Sequence, residues 1–410
     1  MSEFFPAQDR GPIFVVGSPR SGTSVLTWCL GQHANILPLE ESNWLGEFAV
    51  GVEVQYRVGC RRGDRSPLSA SGIGRAEFFE TIGGSINEMI LRHRLQMEER
   101  SRSCAERHPE QAHPAFNIAR SDSESKSRWV DGTPENSMYI AGLKKLFPDA
   151  RFVHIVRDVE SVVASMLNFK TDGDDRLVKT EQEAYEYWMR TVQACVQAEA
   201  ALGPDVMYRL RYDDLVQRPI QAMREVLEFL GEAFMPECSE PLKVKINSSH
   251  VPEDFHAGEP GTDKELVRHA RQLSAQLQQK PAREPPSLQA IAEMEGAFDR
   301  RVTFMAELDG AYAFAQREVA RLRGIIKGLL KGLNWCGVAL AANLLVASLS
   351  NLWNIFIGQS IPETTNLSWF GLALVGAGMY VAIRKEGFLK LARKIGLAMR
   401  RRSVVSSNAA

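Results

Sequence analysis

Residues 12–33 constrain this chain more than any other stretch, because an apolar run, a glycine-containing loop and a helical pattern follow one another there. Pro12–Gly17 reads PIFVVG, which is typical of a buried parallel strand, and Ser24–His33 reads as a helix. The loop between them, GSPRSGTS, has the GxxxxG spacing that lets backbone N–H groups and a helix N-terminus surround an anion. We therefore predict a phosphate-binding loop at residues 17–24; an ordinary tight turn is the alternative.

Strands and helices alternate further along the chain. Arg151–Val156 and Val206–Leu210 predict strands, and a helical pattern follows each of them. This alternation predicts an α/β fold with a three-layer α/β/α, P-loop-like parallel sheet. A polar, proline-bearing stretch at 250–286 predicts the end of the globular domain. The predicted parts are a globular domain, an amphipathic helical stalk and a two-span membrane hairpin with a basic tail, at 1–286, 287–331 and 332–410.

Two arginines are candidates for holding anions. A Walker A loop has lysine after its second glycine, but Thr23 stands there, so a nucleotide triphosphatase would lack its central cation. Arg20 lies inside the loop, where its planar guanidinium could hold a phosphate or a sulfonate. Arg157 ends a predicted strand and could point into the crevice at the carboxyl ends of the strands. Ser165 follows eight residues later on a compatible helix face; a surface ion pair is the alternative for Arg157.

In this order, these motifs resemble those of the sulfotransferases that use 3′-phosphoadenosine 5′-phosphosulfate (PAPS), especially the bacterial and tyrosylprotein members. Residues 19–24 match the PxSGT[ST] core of that family's loop, and the RYDDL segment resembles its later strand-end tyrosine. Residues 129–136, WVDGTPEN, resemble a further block of these members. The resemblance covers roughly residues 10–250. The nucleotide-binding residues that it implies are Pro19, Arg20, Ser21, Gly22, Thr23, Ser24, Arg157, Ser165 and Tyr212.

The resemblance also implies the catalytic groups. His33 and the Glu40–Glu41 pair follow the first helix as in the tyrosylprotein type, which implies Glu41 as the base that accepts the proton of the acceptor hydroxyl. Arg20 would stabilise the charge that develops on the leaving oxygen. A solvated acidic loop is the alternative for Glu41. The other candidate bases are His93, His108, His113 and His154, of which the last is more typical of a core position.

One cation of the tyrosylprotein type is missing from this chain. That type has a lysine just before the Thr-Pro or Asp-Pro of the later block, and Gly132 occupies the place here. Lys144 and Lys145 are the candidate replacements. The sequence contains no metal-ligand motif, and the resemblance implies a reaction that needs no metal.

The C-terminal part differs from the rest in charge and hydropathy. Residues 311–410 carry 13 Lys/Arg and 3 Asp/Glu, a net charge of +10, whereas the preceding residues carry a net charge of −11. Two uncharged runs, Gly332–Pro362 and Thr364–Ile383, are each long enough to cross a bilayer, and basic residues flank the pair. The pattern predicts a membrane hairpin with both ends in the cytoplasm; a soluble helical hairpin in an oligomer is the alternative.

The stalk has the spacing of a coiled coil. Positions three and four apart from Ile291 to Leu329 are apolar or aromatic, with Arg301 the exception. More than five heptads of this pattern predict a coiled coil and a homodimer through 291–329. An amphipathic helix that packs on its own domain is the alternative.

Together these features predict a PAPS-dependent sulfotransferase, anchored with its catalytic domain on the cytoplasmic side of a membrane. Its acceptor would be a hydroxyl of a lipid, a lipid-linked glycan or a polysaccharide, with peptide tyrosine still open. Widely spaced cysteines favour a reducing compartment, the first twelve residues include no secretory segment, and a net charge of −1 gives no reason to expect nucleic acid. A P-loop-like nucleotide-binding kinase and a catalytically inactive membrane adaptor are the alternatives.

Overall fold

The computed structural model describes residues 11–39, 41–107, 126–170, 176–243, 251–252, 258–279 and 284–356. The chain divides into two units, Met1–Tyr312 and Ala313–Ala410. The first unit contains the whole of the observed sheet and all of the predicted nucleotide-binding residues.

A five-stranded parallel sheet lies at the centre of the first unit, in the order β2-β3-β1-β4-β5. Its strands are β1 Ile13–Val16, β2 Ile36–Pro38, β3 Arg128–Asp131, β4 Arg151–Val156 and β5 Met207–Arg211. The chain passes to one side of β1 for β2 and β3 and to the other side for β4 and β5. The carboxyl end of β1 therefore lies at a topological switch point, where open α/β sheets bind ligands. The predicted parallel α/β sheet is confirmed.

Helices cover both faces of the sheet. The α-helices are α1 Thr23–Gly31, α2 Leu45–Cys60, α3 Pro67–Ala70, α4 Arg75–Arg107, α5 Ile140–Leu146, α6 Val159–Leu167, α7 Glu181–Leu202, α8 Tyr212–Gln217, α9 Pro219–Leu230, α10 Lys264–Leu277 and α11 Leu288–Phe356. Short 3-10 helices span Gly63–Arg65, Pro134–Tyr139 and Pro236–Lys243.

The central strand β1 shows why the predicted strands are apolar at every position. Phe14 and Val16 belong to a core shared with α2, α5 and α7, whereas Ile13 and Val15 belong to a second core shared with α1 and α9. Successive side chains of a strand point to opposite faces, so a strand that is covered on both sides needs apolar residues throughout. The two cores give the three layers that the sequence predicted.

The first turns of α11 pack on the domain that precedes them. Met294, Phe298 and Val302 are buried in the core that contains α2 and α5. Arg301, the exception in the apolar pattern, places its guanidinium carbon 4.2 Å from the centroid of the Tyr139 ring. The coiled-coil prediction is wrong for these turns, because their apolar stripe is already covered by the same chain. The homodimer stays a prediction.

The predicted membrane hairpin is not supported. Among the residues that the structure describes, no helix has both the length and the hydropathy to cross a membrane. Helix α11 continues into the first predicted span, 332–362, as far as Phe356, and asparagines such as Asn334 and Asn343 dilute that run. The second predicted span, 364–383, and the basic tail lie outside the described residues.

Candidate active site

The loop after β1 depends on two glycines. Gly17 and Gly22 have φ angles of +149° and +106°, which side-chain-bearing residues rarely adopt. A Cβ atom on Gly17 would lie 2.5 Å from the carbonyl oxygen of Ile155, and one on Gly22 would lie 2.7 Å from Cδ2 of Tyr212. The loop therefore lies directly against β4 and the start of α8, and it leads into α1 at Thr23. The predicted strand–loop–helix is confirmed.

Hydrogen bonds hold the base of the loop and leave one hydroxyl unsatisfied. The Gly17 N–H donates to Ser137 Oγ at 2.9 Å, and the Ser137 hydroxyl donates to Gly17 O at 3.0 Å. The Ser21 N–H donates to Ser18 O at 3.1 Å. Ser21 Oγ itself is buried and has no hydrogen-bond partner among the described residues. A buried polar atom of this kind calls for a partner, and an oxyanion in the loop would provide one.

Arg20 is held in an unusual conformation that directs its side chain toward α6. Its φ of +69° is rare for a residue with a Cβ atom, and such strain costs about 1–3 kcal/mol and concentrates at functional sites. Its Nε donates to Ser165 Oγ at 3.2 Å, and its guanidinium carbon lies 4.1 Å from the Phe169 ring centroid. Burial and the nearby Arg157 lower the pKa of Arg20. The structure thus brings together two residues that the sequence placed in separate subsites.

Arg157 and Tyr212 are the remaining members of the predicted nucleotide-binding set. Arg157 Nη1 donates to Arg20 O at 3.3 Å, and its guanidinium carbon lies 4.5 Å from the centroid of the Tyr212 ring. Tyr212 begins α8 directly after β5, and Arg157 directly follows β4. Because parallel strands end at the same edge of the sheet, these side chains and the loop after β1 meet there. The predicted nucleotide-binding residues therefore lie close together at one edge.

Glu41 lies beside the loop. Its carboxylate interacts with the Ser24 side chain at the start of α1 and with the positive charge of Arg20. Although the residue as a whole is exposed, the crowding of its carboxyl group by protein atoms and the charges of Glu135 and Asp131 raise its pKa to about 6. An accessible carboxylate with this pKa can accept a proton near neutral pH. Its neighbour Glu40 lies outside the described residues.

A buried aspartate anchors the segment that contains Glu41. Asp131 ends β3, is fully buried, and accepts hydrogen bonds from Thr133 N at 2.9 Å, Thr133 Oγ1 at 2.6 Å and Asn136 Nδ2 at 3.2 Å. It also accepts one from the Ser42 hydroxyl at 2.5 Å. This last bond ties the residue next to Glu41 to the WVDGTPEN block. The sequence assigned no role to Asp131, although an acid at the end of a buried strand beside the loop could have indicated one.

Sequence reasoning also missed Glu135 and Tyr187, which both interact with Glu41. Glu135 follows Asp131 in the same block, and its carboxylate accepts a hydrogen bond from the Tyr187 hydroxyl on α7. Burial and the Glu135 carboxylate raise the pKa of the Tyr187 hydroxyl, and the negative charge of Glu41 raises it further. Because α7 is remote from the loop in sequence, no local pattern could have revealed that Tyr187 belongs to this cluster.

The missing lysine has a steric explanation. A Cβ atom on Gly132 would lie 2.1 Å from Thr27 Oγ1, so α1 leaves no room for a side chain there. Lys144 Nζ donates to the carbonyl oxygens of Pro148 and Ala150, which precede β4 at the opposite edge of the sheet. Lys145 Nζ pairs with Glu295 at 2.5 Å. Both suggested replacements are therefore wrong, because each lysine is directed away from the loop.

The described histidines are engaged elsewhere. His33 Nδ1 accepts the Asn35 N–H at 3.1 Å while Nε2 faces Ala233 O at 3.0 Å, and burial lowers the pKa of this imidazole. His93 is exposed on α4, and its Nδ1 lies 3.2 Å from Gln96 Oε1. His108 and His113 lie outside the described residues.

His154 is fully buried in β4, as expected of a core residue, and its Nδ1 lies 2.7 Å from Glu199 Oε1. Burial opposes its protonation, but Cys195 and Glu199 outweigh that effect and raise the pKa of His154 to about 10. An imidazole that is enclosed in this way cannot meet an acceptor. Across the described part of the chain, no group of three or more His, Cys, Asp or Glu side chains could hold a metal ion.

Several known proteins are similar to this chain in sequence. Residues 12–236 match the model of a family described as the sulfotransferase family. A putative protein-tyrosine sulfotransferase of Caenorhabditis briggsae is 21% identical over 218 residues, which cover 53% of this chain and 64% of that protein. The omega-hydroxy-beta-dihydromenaquinone-9 sulfotransferase Stf3 of Mycobacterium tuberculosis is 28% identical over 127 residues, or 27% of this chain and 31% of that protein. The chain thus spans less than two thirds of the length of these curated relatives.

A solved structure, the sulfotransferase domain of the Synechococcus PCC 7002 olefin synthase, is 18% identical and covers 70% of this chain and 94% of its own, with a TM-score of 0.35. A score this low does not establish a shared fold. The family assignment therefore rests on the sequence match at residues 12–236.

Proposed function

The chain belongs to the sulfotransferase family, and on that premise we propose that it transfers a sulfonate group from PAPS to a hydroxyl group of an acceptor. One observation carries the proposal: the Glu41 carboxylate lies beside Arg20 and the glycine loop at the carboxyl end of β1. A base, an anion-binding loop and a cation are the groups that sulfonyl transfer needs.

The loop residues suit the phosphosulfate of the donor. The unsatisfied Ser21 hydroxyl, the Arg20 guanidinium and the N-terminus of α1 with Thr23 and Ser24 would surround it. Arg157 and Ser165 would hold the 3′-phosphate, and the Tyr212 ring would border the nucleoside. Since Arg20 and Ser165 are hydrogen-bonded to each other, nucleotide binding would exchange that bond for two bonds to anionic groups.

The proposed chemistry follows from the same residues. PAPS supplies the sulfonate and leaves as adenosine 3′,5′-bisphosphate. Glu41 accepts the proton of the acceptor hydroxyl as the new bond between oxygen and sulfur forms. Arg20 and the loop N–H groups stabilise the phosphate oxygen that loses its bond to sulfur. Asp131, through Ser42, keeps the base segment beside the loop.

Nucleotide selectivity tests the donor assignment. We expect adenosine 3′,5′-bisphosphate to bind much more tightly than AMP, and Arg157→Ala to remove about 1.5–3 kcal/mol of that preference, as expected for a lost charge-assisted contact. Isothermal calorimetry measures both affinities. Arg151→Ala is the matched control, because Arg151 begins β4 whereas Arg157 follows its end. The Arg151 guanidinium carbon lies 5.3 Å from the centroid of the Phe229 ring, at the opposite edge of the sheet. Equal affinity of the unmodified protein for the two nucleotides would contradict the proposal.

The acceptor class extends this proposal. We propose a hydroxyl of a membrane-associated acceptor, namely a lipid, a lipid-linked glycan or a polysaccharide, with the catalytic domain on the cytoplasmic face. The net charge of +10 in residues 311–410 supports association with a membrane. Peptide tyrosine is the second candidate, since one relative is named for that acceptor. Incubation with labelled PAPS and membrane extract, followed by product identification, distinguishes lipid-linked from peptide products.

Two rival functions have distinct outcomes in the same assays. A kinase-like protein would bind ATP and not PAPS, although Thr23 in place of the Walker lysine argues against it. An inactive membrane adaptor would bind neither nucleotide, and the absence of a lysine at Gly132 is the feature that favours it.

A further inference from the structure

One stretch of α11 in the second unit combines exposed apolar residues with a series of cations. The stretch 314–333, hereafter the basic amphipathic surface, lies within a continuous helix. At 100° of rotation per residue, its branched apolar side chains fall on one side of the helix. Leu322 and Leu333 are half-buried, and the other five are exposed, with fractions of 48% for Val319, 49% for Ile325, 40% for Ile326, 63% for Leu329 and 60% for Leu330.

The opposite side and both edges of the apolar face carry positive charge. The cations are Arg317, Arg321, Arg323, Lys327 and Lys331. Glu318, the one acid in the stretch, falls between Ile325 and Leu329 on the apolar side, and its Oε1 pairs with Arg321 Nη2 at 2.6 Å. The surface therefore pairs a wide apolar face with a strongly basic one, which is the composition of helices that lie in the plane of a membrane interface.

The charges distinguish between two occupants of the apolar face. A second copy of the helix would bring Arg321 and Arg323, at the two edges of the face, next to further cations, and a coiled coil usually places charges of both signs there. An anionic lipid surface would instead neutralise these cations while its acyl region covers the apolar face. We propose that residues 314–333 form an interfacial helix that binds an anionic membrane surface, lying in the membrane plane and not crossing the bilayer.

Flotation of the full chain with lipid vesicles tests this proposal. The vesicles contain phosphatidylcholine alone or phosphatidylcholine mixed with phosphatidylglycerol, and the readout is the ratio of the two affinities. We expect the anionic vesicles to be preferred by about 100-fold or more, since each basic residue near an anionic surface contributes separately. Salt should reduce that ratio, because it screens the exposed charges.

Variants assign the effect to this surface and not to another part of the chain. Replacing Arg317, Arg323, Lys327 and Lys331 together with glutamine should abolish the preference, while the charge-conserving pair Lys327→Arg and Lys331→Arg should keep it. Ile326→Ser with Leu329→Ser should weaken binding to anionic vesicles, whereas Ala320→Ser on the basic side should not. Retention of the preference by the fourfold glutamine variant would overturn the proposal. So would a dimer, seen by sedimentation, that dissociates in the double serine variant while its vesicle binding stays unchanged.

Discussion

Two glutamates of the first unit, Glu41 and Glu199, carry the same side chain in opposite electrostatic environments. Glu199 lies on α7, which packs against one face of the sheet. Burial disfavours its charge there, but His154 and Arg209 outweigh that effect and lower its pKa to about 2. Glu41 lies at the edge of the sheet, where crowding and the charges of Glu135 and Asp131 raise its pKa to about 6. Glu199 therefore stays ionised at neutral pH, whereas Glu41 can take up a proton near neutral pH.

Accessibility separates the two glutamates further. The Glu199 side chain is 14% exposed and accepts hydrogen bonds from Arg209 Nε at 3.0 and 3.1 Å in addition to its contact with His154. Glu41 is exposed and lies beside the glycine loop after β1. The comparison teaches that the partners of a carboxylate, more than its residue type, indicate whether it serves stability or chemistry.

Removing the carboxylate at the loop should have the largest effect. Glu41→Gln keeps the shape of the side chain but cannot accept a proton, so turnover with PAPS should fall by roughly 10²–10⁴-fold. The affinity for adenosine 3′,5′-bisphosphate, measured calorimetrically, should stay the same. Glu186→Gln, an exposed position on α7, is the control and should retain full turnover. A fully active Glu41→Gln protein would show that another group is the base.

Removing the carboxylate of Glu199 on α7 should instead lower the stability of the fold. Glu199→Gln leaves His154 and Arg209 without their counter-charge, and breaking a buried ion pair in this way costs about 3–5 kcal/mol. Denaturant unfolding at neutral pH measures the loss, with the exposed Glu228→Gln as the control. The folded fraction should still bind adenosine 3′,5′-bisphosphate. An unchanged free energy of unfolding would contradict the role assigned to this pair.

The low pKa of Glu199 also predicts how its contribution to the free energy of unfolding changes with pH. Its ionised form is favoured in the folded state, so its contribution to stability is present above the unfolded pKa of 4.5 and is lost as the pH falls toward about 2. The difference in unfolding free energy between the unmodified protein and Glu199→Gln should therefore shrink on acidification.

Changing a neighbour of Glu41 should have the smallest effect. The groups that face Glu41 are Arg20, Ser24, Asp131 and Glu135, and Tyr187 reaches it through Glu135. Turnover should rise with pH through about 6 as Glu41 ionises. Glu135→Gln removes a negative charge that raises the pKa of Glu41, so this acidic limb of the pH–rate profile should move to lower pH.

The negative charge of Glu135, and not the shape of its side chain, is the expected cause of this shift in the pH–rate profile. Glu135→Asp keeps the charge and should leave the limb closer to its original position. A limb that stays in place in Glu135→Gln would show that Glu135 does not influence the base.

Local patterns predicted the parts of this molecule that local forces decide. Strand β1 is an uninterrupted apolar run because both of its faces are covered, and the glycines of the loop are required by backbone geometry. Strands β2 and β3 were not predicted, since β2 has only three residues and β3 contains the charged residues Arg128 and Asp131. Both charges are buried, and each has a partner from a distant segment, Glu232 for Arg128 at 3.3 Å and Ser42 for Asp131 at 2.5 Å, which no window of sequence includes.

The stalk shows how a correct pattern can suggest the wrong partner. The apolar spacing from Ile291 onward correctly predicted a helix, but period alone does not state which surface covers the apolar stripe. In the structure, Met294, Phe298 and Val302 are covered by the first unit, whereas Leu329 remains exposed. The same reasoning explains the suggested lysines, whose position near the site in sequence did not place them near it in space.

The sequence by itself determined the strand–loop–helix, the parallel sheet, and a set of anion-binding candidates that runs from Pro19 to Tyr212. These follow from side-chain periodicity and from the geometry of single turns, which a short segment expresses alone. Only the tertiary structure decided the charge environment of Glu41, because Asp131 reaches it from the end of β3, Glu135 from the 3-10 helix that follows β3, and Tyr187 joins them from α7. Electrostatic interactions depend on distance in space, and it is folding that turns residues far apart in sequence into neighbours.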